Sequence, residues 1–447
     1  MINSSFFDGY RDRRMFRIFL IGMISGFPWV LIGSALTLWL KEDGLSRTTV
    51  GFAGLIFSVY AINFLWAPLL DKIRIPYLSQ KLGPRKAWIF IFQAVIMLAV
   101  AGWTMLVPSQ NLTMIIFLGL IMAIASASQD ITLDALRIEQ VNANEKDKMA
   151  AGAAMTVIGW WTGFKLGGLV TLAVADHFEA LGYLNYWQMS FFVIIGMMAL
   201  MNIGLWLIPE HPQASSKTSS SREGAEAALH WIVETVLSPL ASFFQANGIK
   251  IGISILSFVF LFKIGEAFMG KMSIVFYREL GFSKSDIGLY SKGIGWVTTI
   301  GFTVIGGMVA MRLGTVKALF YAGIAMAGTN LMFSLLAWTG KSTAIFALAV
   351  ILDDLAAAFA NVAFVTFISL LVDRRYTATQ YALLASIGTA GRTLFASSSG
   401  LLVDSLGGNW GIFFIITALM VIPALILLWR MRDFFERRSA TGHVQDG

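Results

Sequence analysis

The chain has no cysteine and very little charge. Only 13% of its 447 residues are charged, whereas a soluble domain carries roughly 25%, so much of the surface must face something other than water. The lack of cysteine excludes disulfides, zinc ribbons and thiol catalysis. The four histidines are scattered without metal-ligand spacing. We therefore expect neither a metal nor a cofactor, and the mean hydropathy of +0.72 indicates a membrane protein.

The net charge of +7 does not by itself indicate a nucleic-acid partner. Membrane proteins concentrate Lys and Arg in cytoplasmic loops for topological reasons, and we expect no nucleic acid to bind. The first residues, Met1 to Arg17, are polar and charged, and no small-residue cleavage site follows the first apolar run. This start does not match a removable signal peptide.

Long apolar runs recur along the chain. About 20 apolar residues cross the ~30 Å hydrocarbon core as a helix, and the runs lack the alternation of barrel strands. The sequence predicts twelve transmembrane helices in an all-α membrane protein, over residues 16–39, 50–70, 87–107, 112–133, 150–173, 187–208, 249–276, 288–310, 316–338, 342–372, 379–403 and 410–430.

The basic residues set the expected orientation. With a cytoplasmic N-terminus, 22 Lys and Arg fall in cytoplasmic stretches and 5 in outer loops. This bias predicts that both termini are cytoplasmic. Arg278 and Lys284 count among the outer-loop cations.

One long polar connection divides the chain. Residues 209–248 separate a six-helix bundle, 1–208, from a second bundle with a cytoplasmic tail, 249–447. Helical spacing of apolar residues between Ala225 and Phe244 predicts a surface helix in this linker. A flexible tether explains the rest of it.

The two halves resemble each other. Ile158 to Lys165 aligns loosely with Ile387 to Arg392, and each segment is followed by a helix that starts at a tryptophan, Trp187 or Trp410. Six-helix repeats with substrate between them are typical of secondary carriers. Chance similarity between apolar sequences is the alternative.

Two carboxylates in the fourth predicted helix are candidates for proton coupling. Asp130 and Asp134 are four residues apart and share one helix face. Because like charges repel and burial disfavours charge, at least one is expected to hold a proton tightly. Pairing of Asp134 with Arg137 at a cytoplasmic gate is the alternative.

Further charges lie in apolar segments, where each costs about 2.5–3.5 kcal/mol at a helix centre. Because cations predominate among them, they indicate an anionic substrate. Lys263 and Glu266, three residues apart, could instead neutralise each other, and Lys292 could snorkel to the headgroups. The charged candidates for substrate binding are Lys165, Lys263, Glu266, Lys292 and Arg392.

The loop after the second helix is a candidate gate. Asp71 can pair with arginine or accept helix N-terminal amides, and Arg85 and Lys86 follow it. This loop resembles the loop between helices 2 and 3 of the major facilitator superfamily, lengthened here by residues 73–82.

Four segments together carry a more specific resemblance. Ser126 to Asp130 with Asp134, Phe64 to Asp71, Lys263 to Phe268, and Ala378 to Leu384 resemble signatures of the AmpG-type muropeptide permeases. The likeness extends over nearly the whole chain. The sequence departs from the family pattern at Glu266, where the pattern has Asp, and it has no room for the two extra helices of some members.

This resemblance implies a major facilitator fold with two six-helix halves and a proton-coupled importer of GlcNAc-1,6-anhydro-N-acetylmuramyl peptides. Carried over by position, it implies that Asp130 and Asp134 are the essential acidic pair and that Gln129 is a substrate-binding residue, with Lys263, Lys292 and Arg392 as further matching polar positions. It further implies alternating access in the bacterial inner membrane, a role in peptidoglycan recycling and, indirectly, in β-lactamase induction and antibiotic resistance. The expected partners are the anhydro-muropeptide, protons and the lipid bilayer, and we expect a monomer. A related permease for a siderophore or another anionic solute is the alternative.

A membrane enzyme is the alternative hypothesis to a transporter. The sequence contains no H-E-x-x-H or G-x-S-x-G motif. Gly340-Lys341-Ser342 resembles the end of a phosphate-binding loop, but position 335 is Leu rather than Gly. We therefore do not expect an enzyme.

Overall fold

Twelve long helical regions make up the computed structural model, which describes residues 12–66, 70, 73–141, 146–210, 238–313, 315–371 and 377–442. We number these regions α1 to α12. They are α1 (Arg13–Glu42), α2 (Arg47–Ile62), α3 (Pro84–Trp103), α4 (Pro108–Glu139), α5 (Lys146–Ala180), α6 (Tyr186–Leu207), α7 (Ile249–Glu279), α8 (Lys284–Ile287, Gly288–Ile294 and Gly295–Leu313), α9 (Thr315–Thr339), α10 (Thr343–Leu371), α11 (Thr377–Ala396) and α12 (Trp410–Leu419 and Ile422–Gly442).

All twelve predicted helices correspond to these regions, so the predicted all-α class is confirmed. Among the described residues, nine helices are long and apolar enough to cross a membrane. Several helices run farther than predicted: α4 begins at Pro108 and continues to Glu139. The apolar run shows only the part of a helix that lies in the hydrocarbon core. The helix itself continues to its capping residues, which can lie several residues beyond the apolar run.

Local chemistry explains several helix ends. Pro84 and Pro108 stand at the first positions of α3 and α4, where the missing N–H costs no hydrogen bond. Ser283 and Asp286 form a capping box at the start of α8. Gly182, just after α5, has a φ of 80°, a conformation that favours glycine.

The chain folds as two compact units. The first comprises Met1–Gln213 and Ser273–Ile300, and the second Ala214–Met272 and Gly301–Gly447. The division into residues 1–208, 209–248 and 249–447 stays a prediction. In the linker, the described residues include a short helix, Ser238–Asn247, while residues 211–237 of the linker lie outside the described part of the chain.

In the first unit, α1 and α5 pack with their backbones unusually close. A Cβ on Gly22 would overlap the carbonyl of Thr156, and a Cβ on Gly159 would overlap the carbonyl of Phe19. Glycines let helices in membranes approach this closely. The face of α5 that carries Gly159 and Gly163 is therefore the face that meets α1.

The second unit has an aromatic core. Phe258 and Phe262 pack together at 5.1 Å between ring centroids, Phe262 stacks on Phe364 at 5.7 Å, and Phe258 meets Phe367 edge to face.

The second unit also contains an apolar cavity of about 490 Å3, which lies between α8, α9 and α10.

Candidate functional site

The two acids of α4 have different surroundings. The Asp130 carboxylate accepts a hydrogen bond from the hydroxyl of Ser25, on α1, at 2.7 Å. The Asp134 side chain is 64% exposed and lies 3.3 Å from the Arg137 guanidinium. The neighbour found at Asp130 is thus a neutral hydroxyl, whereas Asp134 has the charged partner that the gate alternative requires.

Gln129 connects three helices. Its side-chain carbonyl accepts from the Gln93 amide at 2.7 Å, and its own amide donates to the Ile24 carbonyl at 3.1 Å. Gln129 has no exposed surface. Because protein groups occupy both ends of the amide, this geometry suits packing between α1, α3 and α4 better than the predicted contact with substrate.

Two lysines predicted to bind substrate lie where α5 and α8 meet in the first unit. Lys292 donates to the Ser34 hydroxyl at 2.8 Å, and its ammonium lies 4.2 Å from the centre of the Phe164 ring. Lys165 donates to the Gly295 carbonyl at 2.9 Å. Lys292 is only 5% exposed, so the snorkelling alternative for this residue is wrong.

A buried ion cluster in the same unit was not anticipated. Lys284 is fully buried; its ammonium lies 3.0 Å from the Glu42 carboxylate and also pairs with Glu179. Arg278 donates to Glu42 at 2.8 Å. We call Glu42, Glu179, Arg278 and Lys284 the Glu42 cluster. The placement of Lys284 as a loop cation is corrected, because α8 begins at this residue and two carboxylates compensate its charge.

Aromatic side chains complete the surroundings of Glu42. Tyr186 and Trp187, at the start of α6, donate to its second carboxylate oxygen at 3.1 and 2.8 Å. The Lys284 ammonium lies 4.7 Å from the centre of the Tyr186 ring. Glu42 is thereby surrounded by donors from α6, α7 and α8, which a buried carboxylate needs.

The second unit contains the remaining predicted substrate-binding residues. The Lys263 ammonium lies 3.0 Å from the Glu266 carboxylate, as the neutralising alternative expects, and also donates to the side-chain carbonyl of Asn361. Arg392 has an exposed side chain, which donates to the Thr389 hydroxyl at 3.4 Å. Lys263, Glu266 and Arg392 are thus gathered on α7 and α11.

The described gate residues tie α3 to α4 and to the end of α6. Arg85 lies 3.4 Å from Glu139, and the Lys86 ammonium donates to the carbonyls of Trp206 and Ile208 at 2.9 and 2.8 Å. Their gating role stays a prediction. Asp71 lies outside the described residues.

Glu210 holds the start of α3. Its two carboxylate oxygens accept from the backbone amides of Arg85 and Lys86 at 2.8 and 2.9 Å. Burial raises the pKa of Glu210 above its usual value, although the two amides act in the opposite direction. No simple motif marks Glu210, because the partners it binds are backbone groups far away in sequence.

Comparisons with known proteins agree with this architecture. The profile of the Major Facilitator Superfamily matches residues 18–396. The chain is 31% identical to the transporter AmpG 4 of Rickettsia felis, over 94% of this chain and 96% of that one. It is 29% identical to the anhydromuropeptide permease of Escherichia coli K12, over 97% of this chain and 83% of that one.

Solved structures with low sequence identity show the same fold. A bacterial homologue of the lysosomal transporter Spinster, in an inward-facing and unoccupied conformation, matches with a TM-score of 0.73 at 12% identity, over 96% of this chain and 98% of that one. A bacterial homologue of the peptide transporters PepT1 and PepT2 matches with a TM-score of 0.67 at 13% identity, over 95% of this chain and 99% of that one. The chain is thus a multi-pass membrane transporter that belongs to the major facilitator superfamily and, within it, to the AmpG transporters.

Proposed function

We propose that this transporter imports GlcNAc-1,6-anhydro-N-acetylmuramyl peptides by proton-coupled alternating access. The proposed direction is from periplasm to cytoplasm across the bacterial inner membrane, with both termini cytoplasmic. Such uptake would serve peptidoglycan recycling and, indirectly, β-lactamase induction. The relative from Escherichia coli named as an anhydromuropeptide permease supports this substrate class.

The observation that carries the coupling proposal is the position of Asp130. It lies within the apolar length of α4 and receives a hydrogen bond from Ser25. A hydroxyl can donate to a carboxylate and can also accept from a protonated carboxyl. Asp130 can therefore gain and lose a proton without losing this contact, which a proton-coupled carrier requires.

Buried cations support an anionic substrate. Lys165 and Lys292 are 6% and 5% exposed, and the neighbours described above are a carbonyl, a hydroxyl and an aromatic ring. Charges inside membrane proteins generally mark substrate or ion pathways. A muropeptide carries carboxylates in its stem peptide, and an anionic siderophore would satisfy the same lysines, so competition between the two ligands decides between them.

The decisive experiment measures uptake of labelled anhydro-muropeptide into proteoliposomes with an imposed pH gradient. The wild-type protein should accumulate the label, and an excess of unlabelled siderophore should not reduce the signal. Asp130→Asn should abolish gradient-driven accumulation, because an amide cannot release a proton. It should retain exchange of labelled for unlabelled substrate, which needs no net proton movement.

Asp134→Asn is the matched comparison. If Asp134 acts at a gate with Arg137, this variant should slow uptake and exchange together while still responding to the gradient. Full gradient-driven accumulation by Asp130→Asn would exclude Asp130 as the coupling residue. Failure of the wild type to take up muropeptide would exclude the proposed substrate.

A further inference from the structure

Four aromatic side chains from three helices form a cluster in the first unit. The Trp29 ring on α1 lies 4.7 Å from Phe57 and 4.7 Å from Tyr60, both on α2, and 5.6 Å from Trp160 on α5. We call these four residues the Trp29 cluster. Each side chain is only partly buried, so the rings retain surface that a ligand can contact.

The cluster is continuous with the charged groups of the proposed transport site. The Trp160 ring lies 5.4 Å from Phe164, over which the Lys292 ammonium is placed. On the other side, Ser25 precedes Trp29 by one helical turn and donates to Asp130. The aromatic surface therefore extends from the vicinity of the proposed coupling acid toward a buried cation.

One polar atom of this cluster lacks a partner. The indole N–H of Trp29 is buried and has no hydrogen-bond partner among the described residues, whereas the buried hydroxyls of Tyr60 and Ser126 interact with each other. The Ser126 side chain and the Asp130 carboxylate both lie near the Tyr60 hydroxyl. Buried polar groups without partners are rare in native proteins and need an explanation.

Aromatic rings beside buried hydroxyl and N–H groups match one part of the proposed substrate. A pyranose ring has an apolar C–H face that packs on an aromatic ring, and hydroxyl, ether and amide groups at its edge that form hydrogen bonds. Ligand sites generally combine apolar and aromatic walls with a few placed polar groups. A flexible, charged stem peptide offers fewer such faces.

We infer that the Trp29 cluster is the saccharide-binding subsite of this transporter, with the Trp29 indole N–H and the Tyr60 hydroxyl as hydrogen-bonding groups for the sugar. This inference rests on the proposed function, since it divides one substrate into a saccharide bound here and a peptide bound elsewhere. Trp29 provides both a ring face and a hydrogen-bond donor, so its replacement should weaken saccharide binding more than replacement of Tyr60.

Packing alone is the competing explanation for the cluster, and graded variants separate the two. Trp29→Ala removes ring and donor, Trp29→Phe keeps a ring without the donor, and Tyr60→Phe removes only the hydroxyl. Trp206→Phe is the matched control, because the Trp206 side chain is 61% exposed and belongs to none of these contacts. Thermal melting of each purified variant reports whether it still folds.

The test measures displacement of labelled anhydro-muropeptide from purified protein by two fragments, the peptide-free GlcNAc-anhydro-N-acetylmuramic acid disaccharide and the free stem peptide. Trp29→Ala should weaken displacement by the disaccharide by roughly tenfold or more, and Trp29→Phe and Tyr60→Phe by about threefold. Displacement by the stem peptide should change less than twofold in all three variants, and Trp206→Phe should match the wild type.

Direct binding of the disaccharide, followed by tryptophan fluorescence, keeps this test separate from the proposed function. Wild-type uptake of muropeptide with unchanged disaccharide affinity in the folded Trp29 and Tyr60 variants would overturn the subsite and leave the proposed function standing. Equal weakening of disaccharide and stem peptide would also overturn it, because the effect would then be a general change of structure. Absence of disaccharide binding to the wild type would do the same.

Discussion

Two buried lysines of α8, Lys284 and Lys292, lie eight residues apart in the same compact unit but have different neighbours. Lys284 pairs with the carboxylates of Glu42 and Glu179. Lys292 contacts the Ser34 hydroxyl and the Phe164 ring. Burial alone therefore does not identify a functional charge; the chemistry of the neighbours does.

The difference has a physical basis. A buried charge beside opposite charges has its electrostatic cost offset by fixed partners, and removing one partner leaves the others exposed to an apolar surrounding. The Ser34 hydroxyl and the Phe164 ring beside Lys292 carry no charge that would neutralise the ammonium. We therefore propose a structural role for the Glu42 cluster and a substrate-binding role for Lys292.

The largest effect should follow from Lys284→Met. This change leaves Arg278 as the remaining cation of Glu42 and Glu179, and we expect the free energy of unfolding to fall by about 3 kcal/mol. Thermal or denaturant unfolding of the purified protein measures it. Lys41→Met is the control: Lys41 pairs with Glu279 but is 23% exposed, so its loss should cost about 0–1 kcal/mol. Equal losses of unfolding free energy in Lys284→Met and Lys41→Met would contradict the structural role proposed for the Glu42 cluster.

Lys292→Met should reduce substrate uptake and leave stability nearly unchanged, in contrast to Lys284→Met. The melting temperature should change little, because a methionine fills most of the same volume and the Ser34 hydroxyl can bond elsewhere. Uptake of an anionic substrate at low concentration should fall about tenfold, equivalent to about 1.4 kcal/mol of binding. Lys292→Arg should recover part of it. A large loss of stability with unchanged uptake per folded molecule would assign Lys292 to structure instead.

The smallest expected effect on stability concerns Glu210. Its carboxylate accepts hydrogen bonds from the backbone amides of Arg85 and Lys86. Its pKa in the folded protein is raised above the usual value of 4.5, chiefly by burial. Stability from this group is therefore fully present below about pH 4.5 and is lost as the pH rises through the folded pKa. In Glu210→Gln, the melting temperature should therefore depend less on pH between about pH 4.5 and the folded pKa than it does in the wild type. An unchanged pH dependence would show that Glu210 does not contribute to it.

The helices and the proposed coupling acid were accessible from sequence for the same reason. Continuous apolar runs dictate helices in a membrane, and Asp130 is conspicuous as a charge in such a run. The glycine face of α5 was also predictable, because Gly159 and Gly163 recur at helical spacing. These features depend on residues close together in the chain.

The remaining features depend on residues that are distant in sequence. Glu42 and Lys284 each stand at the edge of an apolar segment, where exposure to water is the simple expectation, and nothing near either residue indicates its partner. The Trp29 cluster is hidden for a different reason. Aromatic residues make up 13% of the chain, and only the packing of α1, α2 and α5 shows which four of them meet.

The close approach of Gly22 and Gly159 bears on how the protein can be inhibited. With no layer of side chains between their backbones at this point, α1 and α5 cannot shift past each other without a backbone clash. Under the proposed alternating access, we therefore expect the two helices to move as one rigid pair and Trp29, Trp160 and Lys165 to keep their mutual spacing. A compound that fits these three groups should then bind both the inward-open and the outward-open state.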